Sequence, residues 1–233
     1  MNDRVQTLNH GTAYGQGVSA QQRNKVLRNT YWLLALSMLP TVLGAWIGVR
    51  TGITASLSGG VGLMVFLGGA FGFMYAIEKT KNSAAGVPML LAFTFFMGLM
   101  LSRLIAMVLG FKNGADLIMM AFGGTAGVFF VMASLSTVIK RDLSSMGKWL
   151  TVGAVVLMVA AIINVFVASS AGMMAIAVLA IGIFSAFILY DLKRIVDGGE
   201  TNYVTATLGL YLSIYNVFQG LLILLGIGGG NND

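Results

Sequence analysis

The chain has 233 residues, of which 57% are hydrophobic and only 9% are charged, whereas a soluble domain carries about 25% charged residues. It contains no cysteine, which excludes disulfides, thiol catalysis and cysteine-based metal sites. The formal net charge of +6 could indicate a nucleic-acid partner. In a membrane protein, however, an excess of Lys and Arg can instead mark the loops on the cytoplasmic side. The composition therefore predicts a polytopic membrane protein.

Seven apolar runs are long enough to cross a bilayer, because about 20 helical residues span its ~30 Å hydrocarbon core. They cover residues 31–49, 57–77, 87–109, 117–139, 149–168, 172–190 and 203–227. The first run is too long for a signal-peptide core, so we expect it to remain in the mature protein. The connections are short, which favours antiparallel packing of consecutive helices. We therefore predict an all-α bundle of seven transmembrane helices.

The domain boundaries follow from these runs. Residues 30–228 are predicted to form one seven-span membrane domain in the lipid bilayer. Residues 1–29 are mostly polar and are predicted to be a disordered cytoplasmic tail. Residues 229–233 are predicted to be a short external tail.

The positive residues are distributed unevenly between the two sides. Eleven Lys and Arg residues lie in the N-terminal tail and in the loops after runs two, four and six, whereas only Arg50 and Lys112 lie on the other side. Cytoplasmic loops carry an excess of Lys and Arg. We therefore predict a cytoplasmic N-terminus and an external C-terminus, and we interpret the net charge as a topology signal rather than evidence for nucleic-acid binding.

Small residues four apart occur within several runs. This spacing places both residues on one helix face and permits close approach of a neighbouring backbone. We therefore expect tight helix packing at three pairs, namely Gly68/Gly72, Gly123/Gly127 and Gly182/Ala186.

Several kinds of catalytic chemistry lack the residues they need. The single histidine, His10, lies in the N-terminal tail, so neither an intramembrane Ser–His protease nor an HExxH zinc site is available. An intramembrane aspartyl protease needs a second buried carboxylate beside Asp191, and the other aspartates lie in loops, tails or run ends. No cofactor is predicted, and the sequence favours a protein that is not an enzyme.

Asp191 is a carboxylate at the end of an otherwise apolar run. One interpretation is an interfacial aspartate that pairs with Arg194, three residues further along the helix. The other is a polar site shared with run seven, where Gly209, Ser213, Asn216 and Gly220 form one stripe. A polar stripe on a membrane helix faces the bundle interior or a wet cavity. Ser213 and Asn216 are then candidates to hydrogen-bond Asp191.

Two further polar residues lie within the runs. Asn164 in run five is a candidate buried polar group. Arg103 is the only charged residue inside run three, and a central arginine costs roughly 2.5–3.5 kcal/mol on insertion scales. Arg103 either extends outward to the interface or is a buried counter-charge.

Several segments carry a family resemblance. The strings "LYDLKRI", "LYLSIYNVF" and "LLILLG" resemble the last two helices of the Bax inhibitor-1 family. More narrowly, "DGGETNYVTATLGLYLSIYNVF", "KVLRNTYWLLALS" and "GGTAGVFF" resemble its YccA-like bacterial inner-membrane branch. The resemblance covers about residues 25–227 and implies a seven-helix bundle with the last helix near the centre.

The resemblance implies two different functions. Family members are described as pH-sensitive calcium leak channels with two sensing aspartates and a basic latch from the second helix. The first aspartate corresponds to Asp191, the second position is Ser213, and Lys79 is the candidate latch. Ser213 departs from the pattern, which puts the paired-carboxylate switch and Ca²⁺ binding in doubt. YccA-like members are instead associated with FtsH, a membrane-bound ATP-dependent protease, as its substrates and modulators.

Overall fold

The computed structural model describes residues 19–57 and 59–229, which form seven α-helices and no strand. All seven helices are long and apolar enough to cross a membrane, which confirms the predicted all-α seven-span architecture. The orientation of the termini across the bilayer stays a prediction. The helices are α1 (Ala20–Thr51), α2 (Gly59–Thr80), α3 (Gly86–Leu109), α4 (Gly114–Val138), α5 (Met146–Val167), α6 (Ser170–Val196) and α7 (Tyr203–Gly229).

Helix α1 begins about ten residues earlier than the hydropathy indicates. The Ser19 side chain accepts a hydrogen bond from the backbone N–H of Gln22 at 3.2 Å, and such a cap satisfies an otherwise unpaired amide at a helix start. The prediction of disorder through residue 29 is therefore wrong for residues 20–29, which are helical. Residues 1–18 and 230–233 lie outside the described residues.

Helix α7 lies at the centre of the bundle, as the family resemblance implies. It contacts α1, α2, α3, α4 and α6. Its buried side chains include Tyr211, whose hydroxyl lies 2.9 Å from Thr41 Oγ1 of α1. The Tyr215 hydroxyl donates to the carbonyl of Met97 in α3 at 3.4 Å. A buried phenol hydroxyl normally needs a hydrogen-bond partner. These two tyrosines therefore give the central helix polar contacts with α1 and α3.

The closest helix contact joins α1 and α3 at glycines other than those predicted. A Cβ atom on Gly44 would collide with the Phe95 carbonyl oxygen, and one on Gly98 would collide with the Thr41 carbonyl oxygen. The expected tight packing is wrong for the glycines of the three predicted pairs, where an added Cβ would meet nothing within 4 Å. Small residues four apart lie on the same face of a helix. The spacing does not show whether that face contacts another helix.

Candidate functional site

A cavity that contains charged side chains lies beside Asp191 near the C-terminal end of α6. Its volume is about 210 Å³, and its lining includes Asp191, Arg194, Glu200, Thr205, Gly209 and Leu212. The two helices approach closely here, since a Cβ on Gly209 of α7 would lie 3.0 Å from Asp191 Oδ2. Glycine at position 209 therefore leaves room for the carboxylate between α6 and α7.

Arg194 pairs with a different carboxylate from the one expected. Its Nη2 lies 3.0 Å from Glu200 Oε2, and its Nε donates to the carbonyl of Gly199 at 3.4 Å. Asp191 forms no ion pair with any of the residues that the structure describes. The interpretation of Asp191 as the partner of Arg194 is therefore wrong.

The turn between α6 and α7 brings Glu200 back to Arg194. Gly198 adopts a positive φ of 82°, a conformation that glycine accepts without steric cost. Glu200 is buried, and its Oε1 accepts hydrogen bonds from the backbone N–H groups of Thr201 and Asn202, both at 2.9 Å. The GGETNY segment thus fixes a buried carboxylate beside the Asp191 cavity.

Asn202 connects this turn to a distant part of the chain. Its Oδ1 accepts from the backbone N–H groups of Val204 and Thr205, at 2.9 and 3.1 Å, and caps α7. Its Nδ2 donates to the Lys81 carbonyl at 3.2 Å and to Asn82 Oδ1 at 2.8 Å. One side chain therefore joins the start of α7 to the loop between α2 and α3.

The predicted polar partners from α7 bond to their own helix instead. Ser213 Oγ donates to the Gly209 carbonyl at 3.0 Å, and Asn216 Nδ2 donates to the Leu212 carbonyl at 2.8 Å. Neither side chain hydrogen-bonds Asp191 among the described residues. The stripe nevertheless reaches the cavity at Gly209, its first member.

The other predicted site residues lie elsewhere. Lys79 is exposed over the Tyr75 ring, 5.5 Å from its centroid, and α2 makes no contact with α6 in the described part of the chain. Arg103 is exposed and donates to the Leu57 carbonyl at 2.7 Å, so it extends outward and is not a buried counter-charge. The Asn164 side chain lies beside Gly172 at the beginning of α6, about 30 Å along the helix from Asp191.

A second cavity adjoins the first and was not predicted. Its volume is about 380 Å³, and its lining includes Asp142, Ser144, Tyr190, Lys193, Arg194 and Asp197. Lys193 is buried, and its Nζ lies 2.6 Å from Asp197 Oδ1. Nothing in the sequence indicated that Asp142, in the loop between α4 and α5, and Asp197, at the end of α6, would line the same cavity.

Asp142 stays ionised in the loop between α4 and α5. Its Oδ1 accepts from the Ser144 hydroxyl at 2.5 Å and from the Ser144 backbone N–H at 2.8 Å. These bonds, led by that of the hydroxyl, hold the pKa of the fully exposed Asp142 below its usual value. The larger cavity is therefore lined by charges of both signs.

Three buried polar atoms near this end of the bundle have no hydrogen-bond partner within the described residues: Arg23 Nε, Thr30 Oγ1 and Thr205 Oγ1. Arg23 also donates through Nη1 to the carbonyl of Val196 at 3.1 Å, which ties the start of α1 to the end of α6. Buried polar groups are normally satisfied by protein or by internal water. Over residues 19–57 and 59–229, no group of three or more His, Asp or Glu side chains could hold a metal ion.

These features define a multi-pass helical membrane protein with a central last helix and an acidic cavity at one end. The chain belongs to the Bax1-I family, described as "Inhibitor of apoptosis-promoting Bax1", whose model matches residues 23–230. This confirms the resemblance found in the sequence.

Three curated relatives match nearly the whole chain. The chain is 37% identical over 224 residues to "Modulator of FtsH protease YccA" of Escherichia coli K12, covering 96% of this chain and 97% of the relative. It is 36% identical over 232 residues to an uncharacterized protein of Pseudomonas aeruginosa, covering 100% of both. It is 35% identical over 211 residues to an uncharacterized protein of Neisseria meningitidis serogroup B, covering 89% of this chain and 93% of the relative.

The location of the protein follows from the same comparisons. A relative from Escherichia coli O6:H1, 37% identical over 224 residues, is named "Inner membrane protein YccA". Together with the seven membrane-spanning helices, this identifies the chain as a multi-pass protein of the bacterial inner membrane.

Proposed function

We propose that the protein is a non-enzymatic substrate and modulator of an FtsH-type membrane protease and affects the turnover of other membrane proteins. The observation that carries this proposal is the 37% identity, over 96% of the chain, to a protein named a modulator of FtsH protease. The match covers 96% of this chain and 97% of the relative, so the likeness is not confined to one short motif.

The first helix provides physical support for this proposal. Helix α1 has 32 residues and is about 48 Å long at its helical rise, so it exceeds the ~30 Å hydrocarbon core. Its first three turns contain polar and basic residues, including Arg23, Lys25 and Arg28, and lie outside the apolar run. A polar stretch, residues 1–18, precedes them, where an ATP-driven protease could grip the chain before extracting helices.

Purification from native membranes tests the partnership. The tagged protein and an unrelated seven-span control protein of equal abundance are solubilised in mild detergent, and co-purifying proteins are quantified by mass spectrometry. We expect at least a tenfold enrichment of the FtsH-type protease with this protein over the control. Equal recovery of the protease with both proteins would contradict the proposal.

A second candidate function is a cation leak pathway centred on Asp191. The observation that favours it is a cavity that holds a carboxylate without an ion pair and a buried, unpartnered hydroxyl on Thr205. Serine at position 213 removes the second carboxylate expected from the family, and Ca²⁺ prefers several oxygen ligands that often include carboxylates. We therefore propose only a weak leak for the natural sequence.

Ion flux into liposomes tests this second candidate. We expect the purified protein to admit Ca²⁺ slowly and in a pH-dependent way, and Asp191→Asn to flatten the dependence on pH. Ser213→Asp should strengthen the dependence because it adds a carboxylate one turn from Gly209, and Asp116→Asn, exposed at the start of α4 and outside both cavity linings, should leave it unchanged. A large, steeply pH-dependent flux that survives Asp191→Asn would contradict the assignment.

A further inference from the structure

One side chain attaches the beginning of α1 to the rest of the bundle. Among residues 19–25 only Arg23 is partly buried, and the others are exposed. Its Nη1 donates to the carbonyl of Val196, the last residue of α6, at 3.1 Å. The next inward contact along α1 is Val26, which is buried in the main hydrophobic core. About one and a half turns of helix therefore depend on Arg23 for their attachment.

The end of α6 offers an acceptor that suits an arginine. The last four carbonyls of a helix have no partner within it, and positive groups are favourable at this end of the helix dipole. Backbone N–H groups of the following turn bond to the carbonyls of Lys193, Arg194 and Ile195. The Val196 carbonyl instead accepts from Arg23, which lies 173 residues earlier in the chain. One hydrogen bond therefore ties two distant helix ends together.

The other contacts at the start of α1 are local. The Ser19 side chain accepts from the Gln22 N–H in an exposed cap, and the Ser19 carbonyl accepts from the Arg23 N–H at 3.0 Å. Helix ends with few buried contacts and solvent-exposed hydrogen bonds open most readily. Loss of the Arg23–Val196 bond should therefore let α1 unwind as far as Val26.

Unwinding would lengthen the free chain at this end of the molecule. Residues 19–25 extend over roughly 23–25 Å when they are not helical. They directly follow the N-terminal stretch in which an ATP-driven protease is proposed to grip the chain. The bond between Arg23 and Val196 thus controls how much chain lies before the first folded turn.

We propose that Arg23 is a positioning residue that limits the start of proteolysis, because its bond to Val196 keeps residues 19–25 folded against α6 and away from an FtsH-type protease. This inference rests on the proposed function as a substrate of such a protease. It does not involve the two cavities, whose linings contain neither Arg23 nor Val196. Unwinding of the helix start is measurable without any protease, so the tie and the proposed function can fail separately.

Hydrogen exchange of the purified full-length protein in lipid nanodiscs tests the tie itself. We expect Arg23→Gln to speed amide exchange over residues 23–27 about tenfold, because these N–H groups bond to carbonyls four residues earlier, in the released turns. Arg28→Gln removes an equal charge from an exposed position of the same helix and is the matched control. It should leave this exchange unchanged.

Exchange within the central helix α7 verifies that the bundle persists, and it should be the same in every variant. Arg and Gln have similar helix propensities, so a difference between Arg23→Gln and Arg28→Gln reports the bond to Val196. Equal exchange over residues 23–27 in Arg23→Gln and the natural protein would overturn the tie.

Pulse-chase in cells that contain FtsH tests the consequence for degradation. Arg23→Gln should be degraded about threefold faster than the natural protein, whereas Arg28→Gln should match it. Ser19→Ala removes the cap rather than the tie, loosens the same turns and should also shorten the half-life. Two results would overturn the proposal: an unchanged half-life for Arg23→Gln despite faster exchange, or faster exchange in Ser19→Ala without faster degradation, which would mean that Arg23 acts through another contact.

A strain without the protease separates this inference from the proposed function. All four proteins should be equally long-lived there. If the natural protein is instead degraded at the same rate in both strains, its proposed role as a substrate fails, and the effect of Arg23 on proteolysis fails with it. The tie between Arg23 and Val196 still stands or falls on the exchange measurement alone.

Discussion

The hydroxyl of Tyr211 on α7 lies 2.9 Å from Thr41 Oγ1 on α1 and also reaches the Thr94 carbonyl of α3 at 3.4 Å. The tyrosine hydroxyl has one proton for these two acceptors, and the shorter bond, to Thr41, is the stronger. The Thr41 hydroxyl itself donates to the Ser37 carbonyl at 2.8 Å, which leaves its oxygen free to accept from the tyrosine.

Removing this hydroxyl should destabilise the bundle. Tyr211→Phe keeps the ring and its edge contact with Phe93 but loses the hydrogen bonds, so we expect a loss of about 1 kcal/mol in the free energy of unfolding. Thermal unfolding in detergent measures it. Tyr75→Phe, on an exposed tyrosine, should leave the melting temperature unchanged, and an equal melting temperature for both variants would show that the Tyr211 hydroxyl does not stabilise the fold.

The contact between α1 and α3 should tolerate no side chain at its glycines. Gly98→Ala places a methyl group against the backbone carbonyl of Thr41, which cannot rotate away as a side chain can, so we expect about 1–3 kcal/mol of destabilisation. Gly72→Ala on α2 meets nothing within 4 Å and is the matched control. Chemical or thermal unfolding of the two variants should therefore separate them, and similar stabilities would mean that α1 and α3 are less closely packed.

The distribution of Lys and Arg predicts an N-in, C-out topology. A phosphatase reporter that is active only in the periplasm should be active when fused after Asp233 and inactive when fused after Lys140. The opposite pattern would place the two cavities beside Asp191 on the periplasmic side. The measurement therefore also assigns the side of the membrane on which the two cavities lie.

Shortening the N-terminal stretch should separate degradation from binding. Removing residues 2–18 leaves Ser19 to cap α1 and keeps Arg23, Lys25 and Arg28 for the topology. We expect a several-fold longer half-life in cells that contain FtsH, because the protease loses its initial grip. Pulse-chase of the full-length and shortened forms measures this, with a deletion strain lacking the protease as the control.

Binding of the shortened form is measured in the same cells. If the helices carry the contact with the protease, the shortened protein should still co-purify with it and slow turnover of other membrane substrates. Equal half-lives of the two forms would show that residues 2–18 are not the point of initiation.

The sequence was sufficient to predict the helices but not all of their ends. Apolar runs of about 20 residues have few alternatives in a bilayer, and each run coincides with one helix. The start of α1 was missed because its first turns are polar and depend on a local cap at Ser19, which hydropathy does not register.

The candidate site was predictable only in part. Asp191 stood out because charge is rare in these runs, whereas the stripe on α7 was expected to reach it through Ser213 and Asn216 and reaches it through Gly209 instead. The pairing of Arg194 with Glu200 could not be read from helical spacing, since it depends on the turn at Gly198, where the chain reverses. The Ser213 hydroxyl and the Asn216 amide donate to backbone carbonyls of α7 itself. Short polar side chains can form such bonds in any helix.

The bridge made by Asn202 has a consequence for how the protein is assembled during synthesis. Its partner Asn82 precedes it by 120 residues, so at a translation rate of ~5–20 residues per second the α2–α3 loop waits roughly 6 to 24 s for Asn202. When the interval begins α1 is already made and α3 follows directly, so both lack the central helix that they contact until α7 is made. A nascent chain stalled before α7 (Tyr203–Gly229) therefore presents an unfinished bundle, and the buried faces of α1 and α3 are covered only after α7 has been made.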